Sequence, residues 1–394
     1  MTLKESTPTD ISKLRRPWVV WILFFFQFAA IGVFYTYLNI YYRDAGLSGT
    51  QIGTINMSTA LVGVAGSIFW GFLADRTGQS RLLIALGAGS ALLTVQFIPL
   101  MNSFWQFLGL GILASFANSA PGTLVDSTIL TMLGEQRNDY GRYRLGGTIG
   151  YILTTLTAGF LFDRAGLRLM FPAYGVIMFL FAGVALLLPA SPVRLAGNRF
   201  EGLTTIISRP AWILFTVCTF LIWIASNASI MFLGVSLQAM GASHSLISIA
   251  ITIGAVVEIP FMMFSGYFLK RFGSVKLLIT AMVLMVIRYF LLGFMQAPTW
   301  AVFINTLNGP AYVFFWNSAV TYANRMAPPG FAATVQGLLN STLSLAGVVS
   351  ALLTGWLFDT LGPNQLFTVM AFSCLAALIL FAGGNLKLSR PAAD

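Results

Sequence analysis

The sequence predicts an all-α membrane protein of twelve transmembrane helices, arranged as two six-helix bundles that repeat one another. Three observations predict this. The composition is apolar and poor in charge, the apolar residues fall in twelve runs of bilayer length, and distinctive segments recur at half the chain's length.

Of 394 residues, 57% are hydrophobic and 9% are charged, with a mean hydropathy of +0.82. Soluble domains carry about 25% charged residues because their surfaces face water. A chain this short of charge must have lipid as the solvent for most of its surface. The net charge of +10 then reads as basic cytoplasmic loops rather than as a nucleic-acid partner. Cys218 and Cys374 are far apart inside apolar runs, so neither a disulfide framework nor a metal site is expected. The single histidine, His244, lies in a polar link. No nucleophile–base set, metal cluster or phosphate loop is present, so the protein is expected not to be an enzyme and to need no cofactor. The N-terminus is polar as far as Arg16, and the apolar run after it is long enough to remain in the bilayer, so no cleavable signal is expected.

A crossing needs about 20 mainly apolar residues. Such runs fall at 17–42, 51–74, 82–101, 104–133, 142–162 and 169–190, then at 211–240, 245–269, 277–296, 299–324, 334–358 and 364–386. The predicted organisation is a tail (1–16), a bundle (17–190), a linker (191–210), a second bundle (211–386) and a tail (387–394). With the N-terminus inside, seventeen Lys and Arg fall in cytoplasmic segments, three in outer loops and two within helices. Both termini are therefore expected in the cytoplasm, in a multi-pass inner-membrane protein.

Gly71-Phe-Leu-Ala-Asp-Arg-Thr-Gly-Gln-Ser-Arg81 recurs as Gly266-Tyr-Phe-Leu-Lys-Arg-Phe-Gly-Ser-Val-Lys276, an offset of 195. Gly159-Phe-Leu-Phe-Asp163 with Gly166 recurs as Gly355-Trp-Leu-Phe-Asp359 with Gly362, an offset of 196. Two parallel copies in one chain match the halves of major facilitator transporters. The first segment resembles that superfamily's loop between helices 2 and 3. In it, Gly71 is expected to admit close helix approach and Gly78 to turn the chain. Asp75 is expected to meet a helix N-terminus or a cation at a cytoplasmic gate, and Arg76 and Arg81 to face anionic headgroups. Lys270 stands where Asp75 would repeat.

Four charges lie inside apolar runs: Asp126, Arg144, Glu258 and Arg288. Each costs roughly 2.5–3.5 kcal/mol at a helix centre, so by default it marks function. Glu258 is 12 residues before Lys270 and Arg288 is 11 after Leu277. At about 1.5 Å per residue both lie about 17 Å deep, near the midplane. Equal depth on consecutive helices makes an ion pair between them possible. Asp126 and Arg144 lie in the cytoplasmic third, where Gly146, Gly147 and Gly150 favour a tightly packed, inward-facing arginine.

With these residues in view, the chain resembles the lactose permease-like group, which includes phenylpropionate and nucleoside permeases. The resemblance rests on Tyr-Leu-Asn-Ile-Tyr-Tyr-Arg with Gly-Leu-Ser-Gly-Thr-Gln-Ile-Gly (37–53), on 139–151 around Arg144, on Glu-Ile-Pro-Phe at Glu258, and on Arg288. It implies a major facilitator fold in which Asp126 and Arg144 bind substrate. It also implies that Glu258 joins binding to proton transfer, with Asp126 as a second proton candidate, and that Arg288 assists proton release. The group's helix 10 histidine and glutamate are replaced by Asn308 and Ala311, which leaves uniport or efflux open. Cavity residues implied are Tyr35, Asn39, Asn118, Trp223, Asn227, Asn308, Trp316 and Asn317. Aromatics and amides of this kind fit a polar solute with a flat or ring-shaped face.

The expected function is proton-coupled symport of a sugar, nucleoside or aromatic acid by a monomer in the bilayer. Efflux of sugars or drugs is the alternative, and a non-transporting membrane sensor the second. The expected partners are the solute, protons and lipid, with no nucleic acid.

Overall fold

A computed structural model describes residues 18–133, 140–188, 209–327 and 331–388. The predicted tail 1–16 and most of the linker 191–210 and of the tail 387–394 lie outside the described residues. The described chain is helical, in the twelve places the apolar runs predict. Helices α1 to α6 are Trp18–Asp44, Gly49–Thr77, Ser80–Leu100, Phe104–Leu133, Tyr140–Ala165 and Leu167–Ala185. Helices α7 to α9 are Pro210–Ala239, His244–Met263 and Ser265–Gly293. Helix α10 covers 300–326, and α11 and α12 are Ala332–Leu361 and Gln365–Leu388.

Eleven helices are long and apolar enough to cross a bilayer; the other is α10. It is split into Trp300–Ile304, a tight turn at Asn305–Leu307 and Asn308–Met326. Four asparagines and Arg325 interrupt its apolar character. A helix of that composition is tolerated at membrane depth where it lines protein or a cavity.

Several helices outrun their apolar segments by a few residues, because an apolar run ends where lipid ends and a helix ends where the backbone stops it. The stops are six glycines with positive φ: Gly46, Gly78, Gly166, Gly241, Gly273 and Gly362. They form three pairs, 46/241, 78/273 and 166/362, at offsets of 195, 195 and 196. Left-handed backbone costs a glycine nothing and caps the preceding helix. Gly273 sets the boundary between the last two turns following α8 and the body of α9. The caps repeat as well: Ser48 bonds the Gln51 N–H at 3.1 Å, and Ser243, 195 residues on, bonds the Leu246 N–H at 3.2 Å. His244 is thus the first residue of α8 rather than part of a link.

The helices form two compact units. One holds the described residues through Leu47 and those from Ser58 through α6; the other holds Ser48–Met57 and everything described from Arg209 on. In the first, α1 packs on α5 and α6, and α3 on α4 and α6; in the second, α7 packs on α11 and α12, and α9 on α10 and α12. These are the same pairings six helices apart. The sequence-based division puts all of α2 in the first bundle, but its first turns group with the second unit. There the Asp359 carboxylate accepts from the N–H groups of Gly49 and Thr50 and from the Thr50 hydroxyl, each at 2.7 Å. A carboxylate at a helix N-terminus satisfies orphan donors and the positive end of the dipole.

Candidate functional site

In the first unit the site residues gather where α5 lies on α1. Side-chain-free positions make this possible. A Cβ at Gly146 would sit 2.6 Å from the Trp21 carbonyl, and one at Gly147 would sit 2.7 Å from the Phe28 ring. Backbone contact of this kind holds α5 in one register. Arg144 then lies with its guanidinium carbon 3.6 Å from the Phe28 ring centroid and 5.6 Å from that of Phe24. Asp126 accepts a hydrogen bond from Tyr140 at 2.9 Å, and Tyr140 meets Phe24 edge-on at 5.8 Å. No ion pair joins Asp126 to Arg144 among the described residues. The spacing left Tyr140 and Phe28 unnoticed, although Tyr140 stands one helical turn before Arg144.

In the second unit the expected pair between Glu258 and Arg288 is not how Arg288 is satisfied. The Arg288 side chain is 4% exposed. Its Nε and Nη2 donate to the Asn305 side-chain Oδ1 at 3.1 and 2.8 Å, and Nη2 also donates to the Ser229 hydroxyl at 2.8 Å. Asn305 in turn donates to the Ala250 carbonyl at 2.8 Å. The reason is packing. A short connection makes α8 and α9 consecutive, but α8 packs on α10. A Cβ at Gly309 would lie 2.7 Å from the Glu258 nitrogen, and one at Gly254 would lie 3.3 Å from Asn308. The small residues Gly309, Pro310 and Ala311 bring α10, not α9, against Glu258. Asn305 sits three residues before Asn308, and that helical spacing was the missed signal.

An aromatic face completes this unit. Trp223 of α7 lies 5.9 Å from Trp316 and 6.3 Å from Tyr312, both on α10, and Tyr312 and Trp316 are parallel at 6.3 Å. All three rings are partly exposed. Asn227 donates to the Trp223 carbonyl at 2.9 Å, which orients its amide. Asn308, Tyr312 and Trp316 follow at intervals of four, so they share one face of α10. Asn317 stands beside them, with its amide 3.9 Å from the Met262 sulfur.

The chain as a whole is similar to known proteins. The pattern described as MFS_1 like family matches residues 18–369. The chain belongs to this major facilitator family. A maltose permease of Geobacillus stearothermophilus is 30% identical over 325 residues, covering 81% of this chain and 82% of that protein. A putative nucleoside transporter, YegT, of Escherichia coli is 26% identical, covering 85% and 80%. A multidrug resistance protein, MdtG, of Klebsiella pneumoniae is 24% identical, covering 99% and 97%. The crystal structure of the nucleoside transporter NupG superposes with a TM-score of 0.81 at 18% identity, covering 96% of this chain and all of that one. The protein is therefore a multi-pass membrane transporter and not an enzyme.

The remaining expected residues are scattered. Tyr35 lies in a widened turn of α1, edge-on to Phe34 and Tyr174, and Asn39 follows one turn later. Asn118 is half-buried on α4, about two turns of helix before Asp126. In the gate segment Gly78 turns the chain as expected, with φ +66°. Gly71 does not serve close approach in this conformation, since an added Cβ would meet nothing within 4 Å. Asp75, Arg76 and Arg81 are exposed, and Asp75 has no hydrogen-bonding or ionic partner among the described residues.

Proposed function

We propose that this transporter imports a sugar by proton-coupled symport, using Glu258 to join proton and solute binding. The observation that carries the reading is the face of Trp223, Tyr312 and Trp316 beside the amides of Asn227, Asn308 and Asn317. Flat rings offer apolar area to the face of a pyranose, and amides both donate to and accept from its hydroxyls. Similarity to a maltose permease over four-fifths of the chain supports the substrate class. Glu258 is an acidic residue inside α8 at the point where the backbone of that helix meets α10, at Gly309. In this reading the protein acts as a monomer in the inner membrane with both termini in the cytoplasm, and alternating access exposes the site to each side in turn.

Uptake by proteoliposomes tests it. Labelled maltose or a related sugar should accumulate when the outside is acidic by about one pH unit, and the internal excess should vanish with a protonophore. Trp316→Ala should raise KM about fivefold to tenfold with little change in maximal rate. Uptake that proceeds equally with and without the gradient would overturn proton coupling.

Export is the second reading, favoured by the MdtG relatives and by Asn308 and Ala311 where the lactose permease group carries histidine and glutamate. It predicts that expression lowers cellular sugar or drug content instead of raising it.

A further inference from the structure

We propose that Tyr140 and Phe28 are positioning residues that hold Asp126 and Arg144 apart, so that the acid and the arginine are separately available to one polyhydroxylated solute. The inference rests on the sugar reading above and concerns residues it does not use.

An acid and an arginine on adjoining helices in a low-dielectric setting ordinarily find each other, because a close opposite charge is what makes either tolerable. Here they do not. One Asp126 oxygen accepts from the Tyr140 hydroxyl at 2.9 Å, and the other takes no hydrogen bond among the described residues. Arg144 lies flat on Phe28 at 3.6 Å, with Phe24 on its flank at 5.6 Å. Cation–π contact favours the guanidinium while leaving its N–H edge available, and the Tyr140 oxygen lies within hydrogen-bonding reach of that edge as well as of Asp126, so the phenol bridges the two charges. Tyr140 is on the same face of α5 as Arg144, one turn away, and lies within electrostatic reach of both charges. The phenol therefore occupies the space through which the two would close on each other. The platform is close-packed, since Gly147 lets α5 approach Phe28 too closely for any Cβ and the Arg144 side chain lies over the same glycine.

The consequence is chemical. A sugar hydroxyl is both donor and acceptor, so adjacent hydroxyls are matched by one carboxylate oxygen and one guanidinium fork. If the two side chains were paired, each binding event would first have to break that pair. Separation by Tyr140 and Phe28 removes this step. A solute without neighbouring hydroxyls gains nothing from the arrangement, which makes these two residues determinants of specificity.

Two measurements test the proposal, one of them without substrate. In detergent, thermal midpoints are read for Asp126→Asn, Arg144→Gln and the double variant, in the wild-type and Tyr140→Phe backgrounds. The two changes should couple weakly in wild type, where they share only the Tyr140 hydroxyl, and more strongly in Tyr140→Phe, where the acid is free to reach the arginine. In proteoliposomes, Tyr140→Phe should raise KM for sugar about tenfold while maximal rate stays within about twofold. Phe28→Leu should act in the same direction through the other pole, and Phe28→Tyr, which keeps the ring, should restore wild-type KM. A purely structural role would lower the midpoint and the maximal rate without this split. Coupling as large in wild type as in Tyr140→Phe, or an unchanged KM in both Tyr140→Phe and Phe28→Leu, would overturn the proposal. Absence of any sugar uptake by wild type would instead sink the sugar reading, while the thermal cycle still reports whether the charges are held apart.

Discussion

Glu258→Gln should retain exchange of labelled for unlabelled sugar and lose uphill accumulation. Glutamine has the size of a protonated glutamate and its hydrogen-bonding capacity, but it cannot release or take up a proton. If Glu258 carries the coupled proton, the variant is locked in the loaded form and still alternates with solute bound. An inward gradient of about one pH unit is worth about 1.4 kcal/mol, enough for about tenfold accumulation in one-to-one symport. The internal to external ratio should fall from about ten to one, with exchange rates within a few-fold of wild type. The Asp126→Asn variant separates the two proton candidates, since it should weaken binding and leave the accumulation ratio of whatever is bound unchanged. Full accumulation by Glu258→Gln would remove Glu258 as the carrier, and the Asp126 variant would then be the one to lose it.

The second large effect concerns the seat of that carboxylate. Gly309→Val should both destabilise the protein and abolish transport, because the added Cβ would lie 2.7 Å from the Glu258 nitrogen and 2.8 Å from the Val257 carbonyl carbon. Both neighbours are backbone and cannot turn away as a side chain would. Relief requires α10 to move from α8, at a cost of about 1–3 kcal/mol. The same shift would carry Asn308 and Tyr312 away from their present places and disturb the Asn305 bond to Ala250. Gly71→Ala is the control. Its Cβ would meet nothing within 4 Å, and alanine within a helix is favoured by about 0.5–1 kcal/mol over glycine. The midpoint of thermal unfolding should therefore fall for Gly309→Val and stay level or rise for Gly71→Ala. Equal midpoints for the two would mean that α8 and α10 are not in backbone contact.

Much of the fold was legible in the chain because a bilayer imposes a single scale. Twelve runs of about the right length recur at the twelve helix positions, and only their ends moved, in six places to a glycine that stops the helix. The repeat was visible in two motifs, and the backbone added a third glycine pair, 46/241, which had no conspicuous motif around it. The candidate site was legible in part. Trp223 and Trp316 were expected as cavity residues and lie in one aromatic face, but Tyr312 between them was not noticed. The four intramembrane charges were visible as anomalies, but the partners of Asp126 and Arg288 were not. Asp126 is held by Tyr140, and Arg288 by Asn305 and Ser229.

By itself, the sequence determined that this protein lives in lipid, that it crosses as helices, and that its halves are copies. Each follows from local composition or from self-similarity, which need no knowledge of which helix touches which. Only the tertiary structure decided what satisfies each buried charge. Depth along a helix can be counted from the sequence, but azimuth and neighbour cannot. Glu258 and Arg288 are at matched depths on consecutive helices, and still the small face of Gly309, Pro310 and Ala311 sets α10 against Glu258 in place of α9. Neighbours are chosen by where side chains are small enough for two backbones to meet, and that is a property of the packed bundle rather than of any one segment.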